Sequence, residues 1–212
     1  MNLRVPSACL LILSAGFSLF GQTLSPVSFL ARMDFQVRQD VTAITAGDFN
    51  GDGFLDLASS NFTTNDVSVL LSNGDGSFQR QVRYSVAPGP SIIKVGDFDG
   101  DRKLDILVES AFSVSNGAAT ISILLGNGDG TFKPDIQTHV TGQNGGLAMG
   151  DFNDDGKIDV AFASVLPQLG TSQISVLFGN GDGTFQTAIN SSSGPTPFSL
   201  EAATWTETAN WT

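Results

Sequence analysis

The chain has 212 residues, 41% hydrophobic and 15% charged, with 21 acidic against 10 basic side chains and a net charge of −11. That length and apolar content suffice to enclose a core, while a pI near 4.2 withholds the basic footprint that nucleic-acid binding needs. One His, one Cys and one Tyr leave little from which to build a base or nucleophile, so no enzyme is expected, and 24 glycines without collagen's period point to turns.

Residues 1–21 read as a secretory leader. Arg4 supplies a positive start, ACLLIL from Ala8 and SAGFSLF from Ser14 supply an apolar stretch, and a cut is expected after Gly21, although Leu19 is bulky for its place. The stretch is short for a bilayer span and follows Pro6, which disfavours an uncleaved anchor and leaves no stable membrane span after cleavage. A secreted or cell-surface location follows. Cys9 lies inside the leader, so the mature chain would have neither disulfides nor thiolate metal sites. Residues 22–34 are a linker.

From residue 35 to 200 one unit recurs three times. Gly47 begins GDFNGDGFLDLASS, Gly96 begins GDFDGDRKLDILVE and Gly150 begins GDFNDDGKIDVAFA. Each is followed by an alternating apolar run (VSVLL from Val67, ISILL from Ile121, ISVLF from Ile174) and then by NGDGSF from Asn73 or NGDGTF from Asn127 and Asn180. Short β-branched and aromatic runs bounded by Gly, Asn and Asp predict strands. In the first unit these are the run ending at Ala46 and residues 55–60, 67–71 and 78–86. The Asn-Gly and Asp-Gly pairs supply the positive φ angles of a tight hairpin, so the third and fourth strands should pair antiparallel. The predicted fold is all-β, with three β-propeller blades of four antiparallel strands; three blades cannot close a ring, so a partial or truncated propeller is expected.

Each unit carries a nine-residue loop with oxygen side chains at alternate positions. In the first, Asp48, Asn50, Asp52 and Asp56 hold positions one, three, five and nine, with the Phe54 carbonyl at seven. The second offers Asp97, Asp99, Asp101, the Lys103 carbonyl and Asp105; the third offers Asp151, Asn153, Asp155, the Lys157 carbonyl and Asp159. Converging hard oxygens suit Ca²⁺. The alternative is a solvated acidic turn, but carboxylates held close together without a cation repel. An EF-hand is excluded because position twelve, where it needs Glu, is Ser59, Val108 or Phe162. Mg²⁺ prefers rigid octahedral sites and Zn²⁺ lacks nitrogen and sulfur ligands here. At position six Arg102 replaces Gly, and a non-Gly residue in the left-handed region costs on the order of 1 kcal/mol; Asp99, where the other loops have Asn, adds a carboxylate.

The loops and their period resemble the FG-GAP repeats of the integrin alpha-subunit head, called VCBS-type repeats in bacterial surface proteins. The resemblance implies a seven-bladed propeller with Ca²⁺ between the first and second strand of a blade, at the positions just named. It further implies a role in adhesion or in protein or sugar recognition, or as a non-catalytic module beside other domains.

Further expectations concern the remaining residues. In the tail, residues 201–212, a fourth loop is due near Thr204, and the codons of TWTETANWT, shifted by one nucleotide, can spell DLDGDGKLD. A frameshift is therefore expected there, with Trp205 and Trp211 left on a tail without its blade. Asp75, Asp129 and Asp182 should stabilise their turns. The connections between second and third strands, which vary in length, are the expected ligand face. Tyr84 and Phe112 give thin support for a lectin. His139, between Thr138 and Val140, would have to be the base of a hydrolase or lyase, but no nucleophile motif accompanies it.

Overall fold

The computed structural model describes residues 40–110, 118–166 and 171–193. The expected leader 1–21, linker 22–34 and tail 201–212 lie outside the described residues, as does Phe112. The described chain belongs to one unit, Phe35–Thr212, and forms twelve β-strands and no helix.

Sheet 1 contains β1 (Val41–Gly47), β2 (Asp56–Asn61), β3 (Asp66–Leu70) and β4 (Val82–Ser85). Sheet 2 contains β5 (Pro90–Gly96), β6 (Asp105–Ser110), β7 (Ala118–Leu124) and β8 (Ile136–Thr141). Sheet 3 contains β9 (Gln143–Gly150), β10 (Asp159–Leu166), β11 (Thr171–Leu177) and β12 (Ile189–Ser193). In each sheet the strands lie in chain order and every pair is antiparallel. Each repeat therefore builds its own meander, the arrangement short connections favour.

The sheets stack through two apolar layers. Ala58, Val67 and Val69 of sheet 1 meet Ile93, Ile106, Val108 and Leu124 of sheet 2, while Leu107, Ile121 and Ile123 of sheet 2 meet Leu147, Val160, Phe162 and Leu177 of sheet 3. Successive side chains alternate between faces, so β6 sends Ile106 and Val108 one way and Leu107 the other. Every residue of β6 is buried, which explains why DILVES reads as a run and not as an alternation. Each fully buried Leu or Ile contributes about 1.5–3 kcal/mol, so the double layer around sheet 2 is the core of the described structure.

One boundary differs from expectation. The fourth strand of the first repeat begins at Val82 and not at Phe78. After the turn the ladder is reduced to the bridge Ser72↔Phe78 and the bond from Gln79 N–H to the Leu71 carbonyl. The same gap follows Phe132 and Phe185. The physical reason is visible in the later repeats: Phe132 is drawn into the layer between sheets 1 and 2, and Phe185 packs against the layer between sheets 2 and 3. Burying the ring outweighs a few ladder bonds that water can replace.

Candidate metal centres

The nine-residue loops join the first strand of each sheet to the second. Each turns on two left-handed residues, at positions four and six. These are Gly51 (φ 75°) and Gly53 (φ 87°), Gly100 (φ 77°) and Arg102 (φ 66°), and Asp154 (φ 60°) and Gly156 (φ 79°). Arg102 thus occupies the strained backbone its position predicts. Asp154 is a second departure that sequence reasoning passed over; Asp tolerates this region better than most residues, and that tolerance was the available signal.

The Asp at position one organises the loop from within. Asp48 Oδ1 accepts from the Gly51 and Asp52 amides at 2.8 and 3.2 Å, and its Oδ2 from Gly53 at 2.9 Å. Asp97 accepts from the Gly100 and Arg102 amides at 2.7 and 2.9 Å, and Asp151 from Asp155 and Gly156 at 3.1 and 2.8 Å. The Gly53 amide foremost holds the Asp48 carboxyl below the usual carboxylate range, and the Gly156 amide does the same for Asp151. Both carboxylates are therefore ionised, as metal ligands must be. Position three closes the next turn: Asn50, Asp99 and Asn153 accept from the amides of Asp52, Asp101 and Asp155.

Position nine does something the sequence did not reveal. Asp56, Asp105 and Asp159 are fully buried, and each clamps two distant backbone amides. Asp56 takes Phe49 N–H at 2.9 Å and Ser72 N–H at 2.7 Å. Asp105 takes Phe98 at 2.7 Å and Gly126 at 2.8 Å, and Asp159 takes Phe152 and Gly179, both at 2.8 Å. The carboxylate thus ties its loop to the start of the NGDG turn, although each oxygen keeps a second lone pair for an ion.

Among the described residues, one group of three carboxylates comes together: oxygens of Asp97, Asp99 and Asp105 lie within 4.8 Å of one another. Burial foremost, with Asp99 and Asp101 adding repulsion, pushes the Asp105 carboxyl up to about 6 against the pull of the Gly126 and Phe98 amides. Asp101 stands apart, because its carboxylate meets Lys103 Nζ at 2.9 Å. The carboxylates of the first and third loops are not gathered to that degree; there Asn50 and Asn153 turn their amides onto Asp52 and Asp155, at 2.9 and 3.2 Å. The position-seven side chains lie against the second residue of the NGDG turn, Phe54 over Gly74, Lys103 over Gly128 and Lys157 over Gly181.

Loops and NGDG turns share one edge, and they are joined across repeats. Gly130 N–H of the second turn donates to the Phe49 carbonyl of the first loop at 3.0 Å, and Gly183 N–H of the third turn to the Phe98 carbonyl of the second at 3.2 Å. Within the turns, Asp75, Asp129 and Asp182 accept from the amide and hydroxyl of Ser77, Thr131 and Thr184. Those hydroxyls are the largest cause holding the three carboxyls below their ordinary range. His139 is exposed, with Nδ1 at 3.0 Å from Thr120 Oγ1. Tyr84 packs edge-on against Phe132, ring centres 5.3 Å apart. Of the connections expected to form a ligand face, residues 61–65 are described, while most of those in the second and third repeats lie outside the described residues. No described helix is long and apolar enough to cross a membrane.

A family model described as FG-GAP-like repeat matches residues 48–108 and 111–162, more than half of the chain. Comparison with curated proteins gives no match. Among solved structures, the chain is similar to the V. cholerae biofilm matrix protein Bap1, with 20% identity and a TM-score of 0.34. That likeness covers 73% of this chain and spans 29% of the length of the other.

Proposed function

The chain belongs to the FG-GAP-like repeat family, and on that premise we propose that it is an exported, Ca²⁺-binding, non-catalytic module for recognition or adhesion. The observation that carries this is the convergence of Asp97, Asp99 and Asp105 on one centre within a loop whose design recurs in all three repeats. In the second loop Asp97, Asp99, Asp105 and the Lys103 carbonyl would hold the ion, with Asp101 released from its Lys103 contact. The corresponding ligands are Asp48, Asn50, Asp52, the Phe54 carbonyl and Asp56 in the first loop. In the third they are Asp151, Asn153, Asp155, the Lys157 carbonyl and Asp159. A donor set of carboxylate, amide and carbonyl oxygens fits Ca²⁺, and a bound ion would neutralise charges that otherwise repel.

The three stacked, four-stranded meanders support reading each repeat as a propeller blade. Residues 1–21 support export, and the acidic surface argues against nucleic acid as partner, leaving a protein or carbohydrate ligand. The test is thermal melting of the full chain in calcium and in chelator. Calcium at 100 times its dissociation constant stabilises the folded state by about 2.7 kcal/mol per independent site, which raises Tm by roughly 5–10 °C for a chain of this size. Equal melting temperatures in the two buffers, with no heat of binding in calorimetry, refute the metal reading.

A further inference from the structure

The two sheet interfaces are built from matching positions, and one substitution between them leaves an open cleft. Counting from the NGDG turns, Tyr84 of β4 corresponds to Thr138 of β8, and Phe132 to Phe185. Between sheets 1 and 2 the Tyr84 ring covers Phe132 edge-on, with an interplanar angle of 76°. Each phenyl ring also keeps an edge-on partner from the preceding loop, Phe49 on Phe132 at 5.5 Å and Phe98 on Phe185 at 6.3 Å, but among the described residues no ring stands over Phe185 where Tyr84 stands over Phe132, because that position is Thr138. A cleft of about 430 Å³ remains there, bounded by β8, β12 and residues 185–188, within the range of about 300–1,000 Å³ typical of small-molecule sites.

The chemistry of its lining narrows the ligand. Phe185, with Val140 and Leu177, supplies an apolar surface, and Thr138, Gln186, Thr187 and Asn190 supply hydroxyls and amides. Register places Thr138 and Asn190 on the facing sides of sheets 2 and 3: Thr138 pairs with Ile121 and Asn190 with Ser175, whose neighbour across β10 is Phe162. Asn190 Oδ1 accepts from Ser175 Oγ at 2.6 Å, which leaves its amide NH₂ as a donor. Among the described residues the side chains of Thr138, Gln186 and Thr187 make no hydrogen bond. Charge has also been removed. Lys133 and Asp135 of the second repeat align with Gln186 and Ala188 of the third, so the cleft's remaining titratable side chain among its lining residues is His139.

We infer that this cleft between β8 and β12 is a binding site for a neutral saccharide unit, one face of its ring lying on Phe185 and its hydroxyls meeting Thr138, Thr187, Gln186 and Asn190. A sugar ring fills in trans the space over the phenyl ring that Tyr84 fills in cis, its C–H groups on Phe185 and its hydroxyls matching uncommitted amides and hydroxyls. The site extends the recognition role beyond the metal loops and contains none of their ligands, so either reading can fail without the other.

The experiment titrates the full chain, in calcium, with the methyl glycosides of glucose, galactose, mannose and N-acetylglucosamine, by saturation-transfer NMR and calorimetry. At least one should bind saturably with a dissociation constant near 1 mM, the affinity expected of a small neutral ligand on a shallow site. Thr138→Tyr, which copies the first interface, should weaken that binding at least tenfold while leaving the calcium-dependent melting shift unchanged. Should Thr138→Tyr fail to fold, Asn190→Ala, on the exposed side of the cleft, should weaken it at least threefold. Absence of saturable binding for all four glycosides overturns the inference, and so does undiminished binding by the folded variants.

Discussion

Replacing Asp159 by Asn separates what the ninth loop residue does for the fold from what it does for an ion. The carboxylate is fully buried and accepts Phe152 N–H and Gly179 N–H through different oxygens, both at 2.8 Å. Asn keeps one acceptor and turns an NH₂ group toward the other amide, so one buried donor loses its partner, at a cost of about 1–3 kcal/mol. At about 2–4 °C per kcal/mol for a chain of this size, Tm should fall by about 6 °C in chelator, where no metal contributes. Asp155→Asn is the control. Asp155 is exposed; its Oδ1 accepts Lys157 N–H at 3.0 Å, a bond the amide oxygen of Asn preserves, and its Oδ2 accepts from Asn153 Nδ2 at 3.2 Å in an exposed contact that water can replace. That variant should melt within about 1 °C of wild type in chelator and lose part of the calcium-dependent rise. Differential scanning fluorimetry in both buffers reads all four numbers. If Asp159→Asn melts like wild type in chelator, the clamp is not structural; if Asp155→Asn falls equally far there, the division of labour within the loop is wrong.

Three further outcomes follow from named contacts. Arg102→Gly relieves a left-handed residue with φ 66° and should raise stability by about 1 kcal/mol; a lower Tm would count against strain at that position. Gly130→Ala would set a Cβ at φ 82° and 2.5 Å from Leu71 Cδ1, so it should destabilise by about 1–3 kcal/mol, measured by urea unfolding, and an unchanged midpoint contradicts the tight seating of that turn. Glu109 is fully buried, accepts from Ser91 Oγ at 2.5 Å through Oε2 and has no partner for Oε1. Burial pushes its carboxyl up, so the folded state favours the protonated form. Its contribution is then fully present below the ordinary glutamate value of 4.5 and is lost as pH rises through the folded value. Glu109→Gln should raise Tm at pH 8 and flatten its pH dependence between pH 5 and 8, whereas a lower Tm at pH 8 would show the carboxylate to be paired.

The sequence carried most of what is local. The first three strands of the first repeat, the antiparallel pairing across NGDG, the loop at the junction of first and second strands and the left-handed backbone at Arg102 all follow from short-range rules of alternation and turn chemistry. What it concealed depends on partners far along the chain. Asp105 reads as one more calcium ligand, because nothing near it announces that the amide of Gly126 will need an acceptor. Phe78 reads as the first residue of a strand, because the layer that draws in its counterparts Phe132 and Phe185 exists only once the sheets have stacked. Tyr84 reads as thin support for a sugar site; stacking shows it to be packing against Phe132, and shows that its absence at Thr138 is the informative fact.

The seam between each turn and the preceding loop governs where such a chain has room to diversify. Gly130 and Gly183 are stitched to the repeat before them, and Asp56, Asp105 and Asp159 fasten both connections of that edge within their own repeat. An added residue there would pull a stitch out of register. From first loop Asp to turn Asn the chain advances 25, 30 and 29 residues in successive repeats, while the loop itself keeps nine. Novelty in length has therefore collected at the opposite rim, between second and third strands, and a guest peptide grafted at residues 62–64 would leave the stitched edge undisturbed.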